Sequence, residues 1–247
     1  MTNVSAYWRP ATLPDALALL RRSGAVPIGG GTKVNAAPDS RPVEIVDLQA
    51  LGLDRIERRP SALAIGACVT LQHIATDAAV PALVREAARR ELPSTLRAAA
   101  TLGGCLAAGD WESELLATLL AYAAMVTVAG PDGDQDLGLA ALLGDRRQLA
   151  GRLITRVLIA TGGAAHAERT ARTPADRPIV AAVARRQAGE TWLALSGVAA
   201  TPLLTRAGAE LGGWLGRLDP PGDFRGSADY RRALAGTLAQ RVLEAIR

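Results

Sequence analysis

Ala16, Leu17, Leu19 and Leu20 recur at helical spacing and predict an amphipathic helix over 15–22. Thr12 stands ready to cap it, Pro14 fits its first turn, and Gly24 ends it. Leu115, Leu116, Leu119 and Leu120 make a second such stripe, within a helix expected over 113–124. Further helices are expected over 70–75, 82–91 and 203–215, with a long amphipathic one over 227–247. Short apolar runs bounded by Gly, Pro or polar residues predict strands over 25–28, 44–48, 125–128, 153–160, 179–185 and 192–198. Two more, 56–59 and 62–65, read as a pair around Pro60-Ser61. Residues 130–134, GPDGD, form a tight turn, and 162–167 reads as a linker.

Two glycine-rich stretches interrupt this pattern. The first is IGGGTKV, made of Ile28, Gly29, Gly30, Gly31, Thr32, Lys33 and Val34. Consecutive glycines remove every Cβ from a short length of backbone, so a ligand can approach the main chain closely. The free N–H groups of such a turn make an anion cradle. The second is a turn containing Thr101, Leu102, Gly103, Gly104 and Cys105, followed by Asp110, Glu112 and Glu114. Both turns read as the grip on one extended, phosphate-bearing cofactor. The first follows a strand, but its GGG lacks the GxGxxG spacing and no helix opens directly after it, which excludes a Rossmann dinucleotide site.

The 247 residues are enough for a substantial core, and 28 basic against 24 acidic residues leave a nearly balanced charge. No basic block interleaved with aromatics appears, so nucleic acid is not an expected partner. Lys33 is the only lysine in the sequence, which draws attention to its place beside the glycine loop. Cys68 and Cys105 lack zinc spacing, and two thiols cannot supply the four ligands of an all-cysteine iron–sulfur cluster. His73 and His166 are isolated, so no metal ligands are assigned. The acids Asp110, Glu112 and Glu114 suit the positive end of a helix better than a metal. No signal peptide and no membrane span are expected, and the default location is the cytoplasm.

Taken in order, seven segments resemble the FAD-binding medium subunits of the molybdenum hydroxylases, the carbon monoxide dehydrogenase and xanthine dehydrogenase type. YWRPATLPDALALL (7–20), GGGTKV (29–34), IGACVTL (65–71) and LRAAATLGGC (96–105) match the family's opening segment, its AGGTDL loop, its IGA-x-VTL strand and its TIGGN turn. RTARTPADRPIVAAVA (169–184), LALSGVAATPLL (193–204) and FRGSADYRRALAGTLAQRVLEAI (224–246) match its C-terminal region.

The resemblance implies an α+β protein: a two-subdomain FAD-binding fold of the PCMH type, with a C-terminal domain of a three-stranded antiparallel sheet and helices. Its expected divisions are 1–57, 58–165 and 166–247. It implies non-covalent FAD held by the residues of the first loop (28–34) and by Thr101, Gly103, Gly104 and Cys105, with their backbone N–H groups on the pyrophosphate. Glu114 falls on the family's ribose-binding aspartate, and Ile154 sits at the family's backbone contact to the flavin. It also implies a [2Fe–2S] small subunit and a molybdenum-cofactor large subunit as partners, in a dimer of heterotrimers. The arginines of the last helix, Arg231, Arg232, Arg241 and Arg247, offer a further contact surface.

The sequence departs from the family at named positions. Cys105 stands for the asparagine of TIGGN, Lys33 for the acid of AGGTDL, and Ala98 for an asparagine upstream. Between 155 and 178 the chain is shorter than the pattern, which points to a trimmed flavin-shielding loop. The expected function is electron transfer through FAD from the [2Fe–2S] partner to a terminal acceptor, with no residue assigned as a catalytic acid or base. The alternative is a flavin-free structural or assembly subunit, favoured by Cys105, Lys33 and the trimmed loop and opposed by the glycines and Glu114.

Overall fold

The computed structural model describes residues 3–34, 42–174 and 176–247. Among these, the strands form three sheets in sequence order. The first unit holds β1 (Val4–Trp8), α1 (Leu13–Leu20), β2 (Ala25–Ile28) and β3 (Val43–Asp47). Its sheet is parallel in the order β1-β3-β2, with Val26 opposite Ile45 and Ile28 opposite Asp47. Thr12 caps α1, accepting from the Asp15 N–H, and Ala16 and Leu20 face Val46 and Leu48. Leu153, from the next sheet, joins the same small core and ties the two units together.

The second unit is the largest. Its sheet has the order β4-β5-β8-β6-β7, from β4 (Ile56–Arg59), β5 (Ala62–Gly66), β6 (Met125–Gly130), β7 (Gly133–Gly138) and β8 (Leu153–Ala160). The helices are α2 (Leu71–Thr76), α3 (Ala82–Glu91), α4 (Ser94–Arg97), α5 (Leu102–Ala108), α6 (Glu114–Ala121) and α7 (Leu139–Gly144). Strand β7, GDQDLG, is too polar to be recognised from apolar residues; its pairing with β6 through the expected 130–134 turn makes it a strand. Every residue of α6 is buried, so its leucine stripe is only part of its packing surface.

The third unit differs from expectation in two places. Its sheet has four strands, not three, in the order β12-β11-β10-β9. These are β9 (Ala164–Thr170), β10 (Val180–Gln187), β11 (Glu190–Ser196) and β12 (Leu203–Arg206). The expected linker at 162–167 is largely β9, because seven residues of β10 give it a pairing partner. The helix expected over 203–215 splits: Leu203–Arg206 pairs with β11, and only α8 (Leu211–Gly216) is helical. The connection from β8 to β9 is just 161–163. Helix α9 (Ala228–Ala245) covers this sheet, packing Ala235, Leu238 and Val242 onto Val180, Leu193 and Leu195.

Arg231, expected on a partner-facing surface, is fully buried instead. Its guanidinium lies 4.6 Å from the Trp111 ring centroid. It donates to the Ile179 carbonyl, and Nη2 reaches Glu112 Oε1 at 3.2 Å and Asp223 Oδ1 at 2.8 Å. Arg241 and Arg247 do lie exposed.

Candidate functional site

The first glycine loop leaves β2 and crosses the start of α5. Gly30 needs to be glycine for a reason internal to the protein: an added Cβ would lie 1.7 Å from the Ala99 carbonyl oxygen. At Gly29 a Cβ would lie 2.7 Å from Thr101 Oγ1. Gly31 turns the chain at φ +72°, a conformation that other residues rarely adopt. The two glycine stretches are thus packed against one another, as the shared-ligand reading requires. Among the described residues, the backbone N–H groups of Gly29, Gly30, Gly31 and Thr32 have no hydrogen-bond partner.

The second stretch is not a turn but the first half of α5. Thr101 is its cap, accepting from the Gly104 N–H at 3.3 Å. Buried Leu102 and Leu106 anchor its inner face. The Leu102 N–H donates to the Val69 carbonyl (2.9 Å) and the Gly103 N–H to the Ala67 carbonyl (2.8 Å). The Cys105 N–H bonds to the Thr101 carbonyl. The N–H groups of Gly103, Gly104 and Cys105, expected to grip an anion, are therefore already engaged, whereas those of Gly29 to Thr32 in the first loop are not.

Between loop and helix lie two adjoining cavities, of about 120 and 360 Å³, the larger within the range of roughly 300–1,000 Å³ usual for ligand sites. Both touch Pro27, Gly29, Thr101, Gly104 and Ala107, so they form one cleft. The larger part is lined by Ile28, Gly29, Gly30, Gly31, Thr32, Lys33 and Val34 together with Thr101, Gly104 and Cys105. The smaller part is mostly apolar, with Leu48, Leu149, Leu153 and Ile154, and also contains Gly103 and Cys68. A Cβ at Gly104 would meet only its own cap, Thr101 Oγ1, at 3.1 Å, so this residue opens onto the cleft.

Lys33 stands at the cleft, half exposed, with Nζ 3.5 Å from Asp110 Oδ2. Asp110 accepts from Arg177 Nη1 at 2.8 Å. Burial alone would raise the Asp110 carboxyl, but the Arg177 hydrogen bond and charge, aided by Lys33, hold it below its ordinary value. Arg177 also faces Glu91 at 3.9 Å. Burial raises the Glu91 carboxyl, with Arg177 and the Ser113 hydroxyl opposing.

Both cysteines are unreactive by environment. Burial pushes the Cys105 thiol up to about 12 and the Cys68 thiol up to about 11. A neutral thiol is a poor nucleophile, which argues against covalent attachment at Cys105.

Glu114 is placed differently from its expected role. Only 3% exposed, it lines neither part of the cleft. Its two oxygens accept from Arg90 (3.2 Å) and Arg169 (3.3 Å). Asp110, Glu112 and Glu114 share a logic: each meets an arginine of the third unit, Arg177, Arg231 and Arg169 respectively. They fasten that unit to the second. Sequence reasoning missed Pro27, Leu48, Leu149 and Arg152 as lining residues. It also missed Cys68, which lies inside the IGACVTL segment and so carried a signal. Among the described residues, no cluster of three or more His, Cys, Asp or Glu could hold a metal ion, and no helix is long and apolar enough to cross a membrane.

Residues 2–160 match the model of the FAD binding domain in molybdopterin dehydrogenase. The chain belongs to that family. It is a medium subunit of the molybdenum hydroxylase type, a flavoprotein oxidoreductase subunit, and FAD is its cofactor. The carbon monoxide dehydrogenase medium chain of Afipia carboxidovorans is 30% identical, over 96% of this chain and 95% of its own. A relative from Escherichia coli K12 titled "Uncharacterized protein YgfM" is 32% identical, over 95% of this chain and 93% of its own. In three dimensions, a chain of a carbon monoxide dehydrogenase from Hydrogenophaga pseudoflava superposes with a TM-score of 0.89. That match covers 100% of this chain and 98% of the other at 22% identity, which speaks to the fold.

Proposed function

We propose that this chain carries electrons through FAD held non-covalently in the cleft between the first glycine loop and α5. The observation that carries this reading is the run of unpartnered N–H groups from Gly29 to Thr32 beside an apolar recess at Leu153 and Ile154. The N–H groups, with the Lys33 ammonium, suit the cofactor's pyrophosphate. The recess suits its ring system, and the apolar walls keep water from it. Gly104 keeps the floor open, and Thr101 and Cys105 shape its edge. When bound, FAD supplies the redox chemistry, passing electrons singly or in pairs; the protein binds and orients it.

The electrons would come from a [2Fe–2S] small subunit, itself fed by a molybdenum-cofactor large subunit. That the Afipia relative is a medium chain supports a multi-chain setting. We infer a dimer of heterotrimers in the cytoplasm. The test is co-expression with candidate small and large chains, followed by sizing, iron and molybdenum analysis, and reduction of the bound flavin by the substrate of the complex. A co-purifying assembly with reducible flavin supports the reading. A free chain that brings no iron or molybdenum and exchanges no electrons with those candidates contradicts it.

A further inference from the structure

We propose that Arg152 sets the redox potential of the bound flavin. The inference rests on the cleft being the FAD site.

The apolar part of the cleft has a single charged side chain among its described lining residues, and that is Arg152. It immediately precedes β8, whose first two residues, Leu153 and Ile154, line the same recess. The guanidinium has no carboxylate partner among the described residues. Instead Nη1 donates to the neutral Gln135 Oε1 at 2.8 Å, across the β6–β7 hairpin. Its stem lies over Gly130, where an added Cβ would come within 3.1 Å of Nε. The backbone is fixed too: the Arg152 N–H donates to the Leu149 carbonyl at 3.1 Å after the turn at Gly151, φ +66°. A permanent, uncompensated positive charge is therefore held in place at an apolar recess.

The division of the cleft gives this charge its task. Anion donors cluster on the other side, at Gly29–Thr32 and Lys33. Arg152 lies with Leu149, Leu153 and Ile154, where a flat ring would sit. A ring that gains electrons gains negative charge, and a nearby cation stabilises that form more than the neutral oxidised one. The interaction is moderated because Arg152 is partly exposed.

The test is a charge series, Arg152→Lys, Arg152→Gln and Arg152→Glu, in the full chain loaded with FAD. Bound flavin is quantified, its affinity in the oxidised state measured, and its midpoint potential determined by spectroelectrochemical titration. Arg152→Gln should lose about tenfold in preference for reduced over oxidised FAD. For a two-electron couple that is about 30 mV lower. Arg152→Lys should stay near the parent, and Arg152→Glu should fall below Arg152→Gln. A purely structural role would not follow charge order. If FAD binds but the potential does not track the charge, the proposal fails, including the case where both oxidation states weaken equally because Arg152 serves the phosphates. A parent chain that takes up no FAD overturns the cleft assignment itself, and this inference with it.

Discussion

Arg231 and Glu112, 119 residues apart in sequence, form an ion pair at 3.2 Å with side-chain exposures of 0% and 6%. Arg225 meets the same carboxylate, and Trp111 stacks against the Arg231 guanidinium. Removing one member of a buried pair typically costs about 3–5 kcal/mol when it strands the other charge, and Arg225, which stays on Glu112, holds the expected loss to the lower end of that range. Arg231→Ala should destabilise the chain by that order, a large share of the roughly 5–15 kcal/mol available to a folded domain. Denaturant unfolding measures it. A loss below about 1 kcal/mol would show that the pair does not hold the third unit to the second.

Gly30 and Gly104 should respond in opposite ways. Gly104 has no positive φ and faces the cleft, and valine is no worse than glycine in a helix. Gly104→Val should keep the parent's unfolding midpoint while FAD affinity drops at least about tenfold, roughly 1.4 kcal/mol. Gly30→Ala instead drives a methyl into the Ala99 carbonyl and should destabilise the fold by about 1–3 kcal/mol. Calorimetric FAD titration beside thermal unfolding separates the two; equal FAD affinity in Gly104→Val and the parent would remove α5 from the site.

The Cys105 thiol predicts an alkaline dependence. Its folded-state value, about 12, lies above the ordinary thiol value of 9.0, so the unfolded chain releases its proton first. This contribution is intact below about 9 and is lost progressively as pH rises towards about 12. Cys105→Ala should flatten the fall in unfolding free energy over that range. At pH 8 the parent's Cys105 should also resist iodoacetamide, which mass spectrometry of the labelled peptide would reveal.

The parts of the site legible in the sequence were those determined locally. Three consecutive glycines after the strand at 25–28 mark a Cβ-free loop whatever surrounds it, and the leucines of α6 mark a buried helix. The parts that were not legible depend on partners far along the chain. Glu114 reads as a ligand-binding acid until Arg169, 55 residues later, is found on it. Asp110 reads as an acid at a helix start until Arg177, 67 residues later, is found on it. LLTR at 203–206 fits a helix as well as a strand, and only the open edge of β11 decides. At 101–105 the glycines suggest a turn, but the Thr101 cap and two buried leucines outweigh their low helix propensity.

Quantifying the flavin of the purified chain decides whether the cleft holds FAD without a covalent bond. The chain is saturated with FAD, desalted and precipitated with acid, and the released flavin is counted against protein. Close to one FAD per chain is expected in the supernatant, with an intact protein mass that lacks the cofactor. A colourless chain that cannot be reconstituted, or flavin that stays with the precipitate and adds to the mass, would contradict it.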